Sequence, residues 1–208
     1  MGPHFDLPTR IALFPLESAV LMPRTRLPLH IFEPRYLQML EDTLKTEHRL
    51  IGMIQPEGDG LAAIGTAGRM VAFSETDDGR MMISLKAVSR FRLSDTQEGF
   101  APYVQGVVAW DSFGRDLKGP EHDPDLNRDA LFEMLRRYMD AHELSTDWEA
   151  AARAEDETLI NSLAMMLPFS SGDKQALLES PTLADRRELL QGLLEYALRG
   201  GDDEDRLQ

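Results

Sequence analysis

Four side chains that could do chemistry lie close together in the segment PLHIFEPRYLQML, residues 28–40. His30 could exchange a proton near neutral pH, Glu33 and Arg35 could bind charged groups, and Tyr36 could donate a hydrogen bond. An apolar run precedes them and an apolar-periodic segment follows, so they lie where a strand gives way to a helix. The segment could therefore be an active site, a binding site or a structural corner.

A second pattern with catalytic potential is the Ser-x-x-Lys spacing of Ser171 and Lys174. A neutral lysine one helical turn away can activate a serine, but lysine loses its proton only in a dry pocket. Pro168, two serines and a glycine surround the pair, which is typical of an exposed helix start capped by Ser170 or Ser171. We therefore do not expect catalysis here.

A third pattern is an alternating series of oxygen-bearing side chains that resembles the start of an EF-hand calcium loop. Its members are Asp123, Asp125, Asn127 and Asp129. An EF-hand needs glycine at the sixth position and a bidentate glutamate at the twelfth, where this chain has Arg128 and Met134. We interpret the series as acidic residues at a helix N-terminus, and expect no metal site and no cofactor.

Composition and charge narrow the classes of function. The chain has 208 residues, no cysteine and a formal net charge of −14. Such a charge repels a phosphate backbone unless basic residues gather locally, and the 22 Lys and Arg are scattered along the sequence. No stretch approaches the roughly 18 apolar residues of a membrane span, and the N-terminus lacks the pattern of a signal peptide. We expect a cytoplasmic protein that binds neither nucleic acid nor membranes.

The first half of the chain has the pattern of short strands separated by turns. Asp78-Gly79 between two alternating apolar runs predicts a β-hairpin in which both turn residues have positive φ. Such strands predict a small antiparallel barrel or sandwich. One helix interrupts them: it begins at Pro34, and its apolar face consists of Tyr36, Leu37, Leu40 and Leu44.

The second half has helical periodicity after the Gly- and Pro-rich segment near residue 115. Asp123 and Thr182 are predicted to cap helices, Thr146 and Glu149 are spaced as a capping box, and Gly200-Gly201 is predicted to end the last helix. Strands followed by helices predict the α+β class. We expect a β-rich part at 1–115, a helical bundle at 116–200 and an acidic disordered tail at 201–208.

The opening segment also resembles the start of the N-terminal, substrate-binding domain of the Lon protease family. The resemblance rests on Leu-Phe-Pro-Leu (13–16), on the core motif at 27–36, and on weaker matches that include Ser89-Arg90-Phe91-Arg92 and Leu167-Pro168. It covers roughly residues 10–197. The sequence departs from the family pattern at Arg24, where the family often has a glycine after proline.

The resemblance implies a PUA-like β-barrel with one inserted helix, followed by a helical bundle. It implies a stand-alone, non-catalytic domain, because the ATPase and Ser-Lys peptidase domains of Lon proteases would lie beyond it. Two interpretations of the corner at residues 30–36 stay open. Glu33 and Arg35 could lock the strand to the helix with Tyr36 pointing inward, or His30, Glu33, Arg35 and Tyr36, together with Arg90 and Phe91, could contact a partner.

We therefore expect a protein-binding module that recognises unfolded segments or a protein partner, through apolar and Met-bearing surface between the β part and the bundle. Its acidic body would favour basic-apolar peptides. The first alternative is a nucleic-acid-binding PUA-like protein, against which the charge argues. The second is a small hydrolase, which would need a buried, partnered titratable cluster that the sequence does not indicate. The sequence does not indicate an oligomeric state.

Overall fold

The fold begins with a strand-rich region. A computed structural model of the chain describes residues 7–97 and 99–205, with residues 201–205 as backbone only. The strands are β1 (Arg10–Pro15), β2 (Arg26–Ile31), β3 (Leu50–Ile54), β4 (Pro56–Glu57), β5 (Gly60–Leu61), β6 (Ile64–Glu75), β7 (Met81–Gln97) and β8 (Gln105–Ala109). Helix α1 (Pro34–Leu44) lies between β2 and β3, as the periodicity predicts.

Six of these strands form one mixed sheet in the order β2-β7-β6-β3-β1-β8. The long strand β7 also pairs with β8, so hydrogen-bonded neighbours lead from β7 through β6, β3, β1 and β8 back to β7. Strand β2 stays outside this ring, and β7 is its partner in the sheet. Together with the helices that follow, the sheet makes the chain an α+β protein.

The prediction that the sheet is antiparallel throughout is wrong, because β1 and β3 run parallel with Leu13 opposite Gly52. A parallel pair needs a long crossover connection. The chain supplies one in β2 and α1, which lie between the two strands in sequence.

The predicted β6–β7 hairpin is confirmed, but its turn differs from the predicted one. Gly79 has φ 77°, whereas Asp78 is not among the residues with positive φ. The Gly79 N–H donates to the Thr76 carbonyl at 2.9 Å, and the Thr76 N–H donates to the Arg80 carbonyl at 2.9 Å. This is the three-residue loop in which a type I turn precedes a left-handed glycine.

Gly65 and Gly68 lie inside β6. A Cβ at Gly65 would come within 2.6 Å of both the Met53 carbonyl oxygen and the Phe91 ring. The glycine therefore lets β6 cross close over β3 and over Phe91 of β7.

The second half is helical. After a short 3₁₀ helix (Asp111–Phe113) come α2 (Arg128–Ala141), α3 (Trp148–Arg153), α4 (Asp156–Met166), α5 (Ser171–Glu179) and α6 (Leu183–Asp205). Two N-caps differ from the predicted ones: Asn127 caps α2 and Asp147 caps α3, each by accepting from an N–H three residues ahead. The predicted caps Ser170 of α5 and Thr182 of α6 are confirmed.

Helix α6 continues through Gly200, where the sequence predicts its end. Gly200 does not adopt the positive φ by which a glycine usually ends a helix. The tail at 201–208 is helical in its backbone as far as Asp205, and residues 206–208 lie outside the described residues. Its disorder, like the division of the chain near residue 115, stays a prediction.

Three clusters of apolar side chains hold these elements together. One packs α1 against the sheet. A second surrounds Phe91 and lies among the strands that pair in a closed ring, and the third joins α2, α4, α5 and α6. The helical cluster also takes in Val20, Met22 and Ile64 from the strand-rich half. Met165 packs against both the helical cluster and the α1 cluster. The junction between the two halves is therefore filled with side chains.

Candidate functional site

The corner between β2 and α1 brings Glu33, Arg35 and Tyr36 together. Arg35 donates to the Glu33 carboxylate at 2.9 Å, but the two side chains are 55% and 43% exposed. Water and salt screen such a pair, so it contributes little to stability. Glu33 precedes the first helical residue without making a side-chain capping bond.

Tyr36 points inward, as expected. Its ring meets the Phe14 ring edge-on at 4.4 Å between centroids, and the Arg35 guanidinium lies 4.6 Å above it. Burial raises the pKa of the Tyr36 hydroxyl, so the group stays protonated at neutral pH. A half-open cavity of about 310 Å³ lies beside it, lined by Arg35, Tyr36, Pro15, Ala101, Pro102 and Tyr103 among others.

Arg90 and Phe91 are buried in the interior, both at 0% exposure. The Arg90 guanidinium donates to both oxygens of Asp116 at 2.9 Å. It also donates to the carbonyls of Leu178 and Ser180 at 2.9 and 2.7 Å. Arg90 therefore binds the loop after β8 and the end of α5 to β7, and a partner cannot reach it in this conformation.

Arg24 extends this buried polar network towards α4. Its guanidinium pairs with both oxygens of Glu157 and donates to the Asp116 carbonyl at 3.0 Å. The second Glu157 oxygen also accepts from the Glu121 N–H at 2.9 Å. Arg24 has φ 61°, which is the left-handed conformation that glycine adopts without strain.

Arg186 completes the network from α6. It donates to Asn161 at 2.7 Å, and Asn161 in turn donates to the Pro23 carbonyl at 2.9 Å. Burial lowers the pKa of Arg186 to about 10; Arg90 adds to this lowering, and the nearby carboxylates oppose it. The guanidinium thus stays charged at neutral pH.

The sequence-based expectation that no buried titratable cluster exists is wrong. It failed because the members are far apart in sequence, at positions 24, 90, 116, 157 and 186. Among the described residues, the buried side-chain atom without a hydrogen-bond partner is Thr66 Oγ1, outside this network. Every charged group in the network is thus occupied by a partner, and the arrangement ties the two halves of the chain together.

Ser171 and Lys174 hydrogen-bond other groups and not each other. The Ser171 hydroxyl hydrogen-bonds the Ser18 hydroxyl at 2.8 Å, whereas Lys174 Nζ donates to the carbonyls of Ser18 and Met165 at 3.2 and 3.0 Å. Lys174 is 8% exposed, so the expected exposed helix start is wrong for this residue. Burial lowers the pKa of its ammonium group, but no serine hydroxyl accepts from it.

The alternating acidic series has structural partners. Asp123 accepts from Arg187 at 2.6 Å and from the Asp125 N–H at 3.1 Å, while Asn127 caps α2. Within the described part of the chain, no group of three or more acidic or histidine side chains is placed to hold a metal ion. Likewise, no helix in that part has the length and apolar character to cross a lipid bilayer.

His30 lies away from the interior, on the solvent side of β2, β7 and β6. Register places Pro28 opposite Ser84 and His30 opposite Met82, and on the next strand Ala72 and Ser74 lie opposite the same two β7 residues. Exposure alternates along β2, with Arg26, Pro28 and His30 exposed and their neighbours covered. We call this surface the outer face; it comprises Arg26, Pro28, His30, Arg69, Ala72, Ser74, Met82, Ser84, Lys86 and, just past β2, Phe32.

One end of the outer face is apolar. Phe32 is 61% exposed and Met82 is 53% exposed, and the Arg80 guanidinium lies 6.0 Å from the Phe32 ring. Phe73, 55% exposed, lies opposite Ile83, so it extends the apolar surface to the other side of the hairpin. Exposed apolar patches of this kind mark binding sites more often than isolated exposed residues do.

A second apolar surface lies in the helical half. A cleft of about 460 Å³ between α3 and α4 is lined by Met139, Leu159, Leu163, Met166 and Leu167 among others. Met166 at its rim is 75% exposed. Among the described residues, the strongly exposed methionines are Met82 on the outer face and Met166 beside this cleft. The binding surface that the sequence suggests between the two halves stays a prediction.

A family model describes residues 10–196 as the substrate-binding domain of the ATP-dependent protease La (LON). Among curated relatives, Lon protease 1 of Bdellovibrio bacteriovorus is 28% identical over 190 residues, which are 85% of this chain and 23% of the relative. Lon protease 2 of Sorangium cellulosum is 27% identical over 82% of this chain and 22% of its own length. The chain therefore spans about a quarter of the length of these relatives.

Solved structures show the same fold. A Lon N-terminal domain protein from Xanthomonas campestris superposes with a TM-score of 0.63 at 26% identity, over 89% of this chain and 98% of that one. The N-terminal domain of Lon protease from the Mycobacterium avium complex gives a TM-score of 0.67 at 11% identity, with the same coverage. The chain belongs to the family of Lon substrate-binding domains.

Proposed function

We propose that this chain is a non-catalytic protein-binding module that recognises extended or unfolded protein segments at the apolar end of the outer face. The observation that carries this proposal is the exposure of Phe32 and Met82 on that face, with Phe73 exposed on the opposite face of the same hairpin. Extended segments present apolar side chains, and burying these against exposed rings and a thioether is favourable. Membership of a family described as substrate-binding supports the same function.

A further part of the proposal is that the strands form a PUA-like barrel. The strand pairings support it, because they lead from β7 through β6, β3, β1 and β8 back to β7. In that arrangement β2 and the β6–β7 hairpin project from the ring. Pro28 in the middle of the outer strand β2 lacks an N–H, which disfavours the addition of a peptide strand at that edge. We therefore place the segment across the outer face and not along the edge of β2.

Absence of catalysis is also part of the proposal. The partners of Ser171, Lys174 and the buried arginine network support it, because each group is engaged in holding the fold together. The corner of Glu33, Arg35 and Tyr36, with its adjacent cavity, stays a candidate secondary contact for the same partner.

The test uses a neutral, apolar, fluorescein-labelled peptide and measures anisotropy against protein concentration. Met82→Ser and Phe32→Ser should each weaken binding about fivefold, since roughly half of each side chain remains to be covered. Met166→Ser is the matched control, an equally drastic change at an exposed methionine of the α3–α4 cleft, and should leave the affinity unchanged.

Loss of binding in Met166→Ser, with none in Met82→Ser, would move the site to the α3–α4 cleft. The same preparations incubated with unfolded casein should yield no fragments on a gel. Cleavage that survives repurification and disappears in Ser171→Ala would contradict the non-catalytic assignment.

A further inference from the structure

Three cations lie side by side at the other end of the outer face. Lys86 of β7 has Arg26 of β2 as its register partner on one side and Arg69 of β6 on the other. All three residues are exposed. Residues directly opposite each other in a sheet have their Cβ atoms about 5 Å apart on the same face, so these side chains form a row across three strands.

The row lacks acidic partners within the sheet. No described carboxylate lies within 4.0 Å of Arg26, Arg69 or Lys86, whereas Arg80 at the hairpin turn pairs with Asp78 at 2.9 Å. No position of the outer face carries an aspartate or glutamate. Like charges directly opposite in a sheet are destabilising, so the charges of this row do not stabilise the fold.

The local charge is opposite to that of the whole molecule. A chain with a formal charge of −14 here presents three positive side chains and no negative one on a single face. Between the row and the apolar end lie the small or short side chains of Ala72, Ser84 and Pro28. Lys86 and Met82 are four residues apart on β7, which corresponds to about 13 Å, a distance that a short extended peptide spans.

We propose that the outer face binds an extended segment of a partner protein that carries acidic residues beside apolar ones. The carboxylates lie over Arg26, Lys86 and Arg69, and the apolar side chains lie over Met82 and Phe32. The proposal rests on the proposed function and adds that the bound segment is acidic. It reverses the preference for basic peptides that the net charge suggests, because contacts within a Debye length of about 10 Å outweigh the distant body.

Charge complementarity favours a protein segment over nucleic acid. Three cations are fewer than the 6 to 10 phosphate contacts, roughly, of typical DNA-binding proteins, and the acidic remainder of the chain opposes a long polyanion. A nucleic acid would contact the cationic row and would leave the apolar end of the outer face without a role. A short acidic-apolar segment uses both ends.

The experiment compares three labelled peptides of equal length and equal apolar content, with glutamate, glutamine or lysine at the variable positions. We expect the glutamate peptide to bind most tightly to the wild-type chain at about 50 mM salt and to lose most of this advantage at about 200 mM. Lys86→Gln should weaken the glutamate peptide about twofold to fivefold and leave the glutamine peptide unchanged. The triple variant Arg26→Gln, Arg69→Gln, Lys86→Gln should abolish the preference.

Arg92→Gln is the matched control, because Arg92 is an exposed cation of the same strand, about 20 Å from Lys86 along β7. It should retain the preference. Lys86→Gln should also melt at a higher temperature than the wild type, since it relieves repulsion within the row. Weaker binding in a more stable protein separates a ligand-binding role from a structural one.

Equal affinity for the three peptides, with Met82→Ser still weakening all of them, would overturn the acidic preference and leave the proposed function standing. Binding of none of the peptides would overturn both. Tighter, salt-sensitive binding of a single-stranded RNA oligonucleotide would assign the face to nucleic acid. Self-association that Lys86→Glu abolishes would assign it to a second copy; either result overturns the proposal.

Discussion

At the scale of single residues, arginine has two opposite roles in this protein. Arg90 and Arg186 are completely buried, and each of their guanidinium nitrogens donates to a carboxylate, amide or carbonyl oxygen. Arg26 and Arg69 are exposed and lie beside another cation. Burial with full pairing makes an arginine structural, whereas exposure without a carboxylate leaves its charge available to a ligand.

The first prediction concerns the buried pair of Arg90 and Asp116. Asp116→Ala should lower the free energy of unfolding by about 3–5 kcal/mol, because it leaves a buried guanidinium without its carboxylate. Urea denaturation followed by circular dichroism measures this. Glu33→Ala breaks the exposed pair with Arg35 and should change the stability by less than about 1 kcal/mol. Equal effects of the two variants would contradict this assignment of roles.

At the scale of elements, strand β6 decides how closely the sheet packs. Two register shifts interrupt its pairing with β7: one leaves Val88 of β7 unpaired, and the other leaves Val71 of β6 unpaired. Gly65 and Gly68 let it pass over neighbouring side chains with no Cβ of its own. The same strand then supplies Arg69 and Ala72 to the outer face, so its packing and its exposed surface depend on one backbone path.

The second prediction tests that close packing. Gly65→Ala should lower the free energy of unfolding by about 1–3 kcal/mol, because its methyl group would collide with the Met53 carbonyl and the Phe91 ring. Gly99→Ala, where a Cβ meets nothing within 4 Å, should change it by less than about 0.5 kcal/mol. Guanidinium denaturation curves of the two variants make the comparison. A Gly65→Ala protein as stable as the wild type would mean that β6 can shift to accommodate a side chain.

At the scale of the whole molecule, the strand-rich and helical halves share one interior. Met165 packs into the cores of both, and the network from Arg24 through Glu157 and from Arg90 to Ser180 crosses between them. Breaking this network in either half would leave charges buried in the other, so we expect the halves to lose their structure together.

The third prediction uses the two tryptophans, one in each half. Trp110 packs on Phe91 inside the closed set of strands, and Trp148 packs on Phe132 in the helical part. Trp110→Phe leaves a reporter of the helices and Trp148→Phe leaves a reporter of the strands. Within each variant, the fluorescence and circular dichroism unfolding curves should coincide, as a two-state transition requires. Separate transitions for the two signals would show that the halves unfold independently.

Local features were predictable from sequence, and long-range ones were not. Pro34 at the start of α1, the inward Tyr36 and the β6–β7 hairpin depend on neighbouring residues and were predicted correctly. The parallel pairing of β1 with β3 depends on where a crossover returns the chain. The row of Arg26, Lys86 and Arg69 depends on register across three strands and on the bulges between β6 and β7, so its members appear scattered in the sequence.

The left-handed backbone at Arg24 has a consequence for how this family can vary. A glycine there would adopt φ 61° without strain, but it would take away the guanidinium that neutralises the buried Glu157. We therefore expect the two positions to vary together: relatives with glycine at position 24 should carry a neutral residue at 157. In relatives with arginine at position 24, we expect the carboxylate at 157 to be kept, because the guanidinium would otherwise lose this partner. We therefore expect the departure from the family pattern at Arg24 to be accompanied by a second difference at position 157, in a helix more than a hundred residues away.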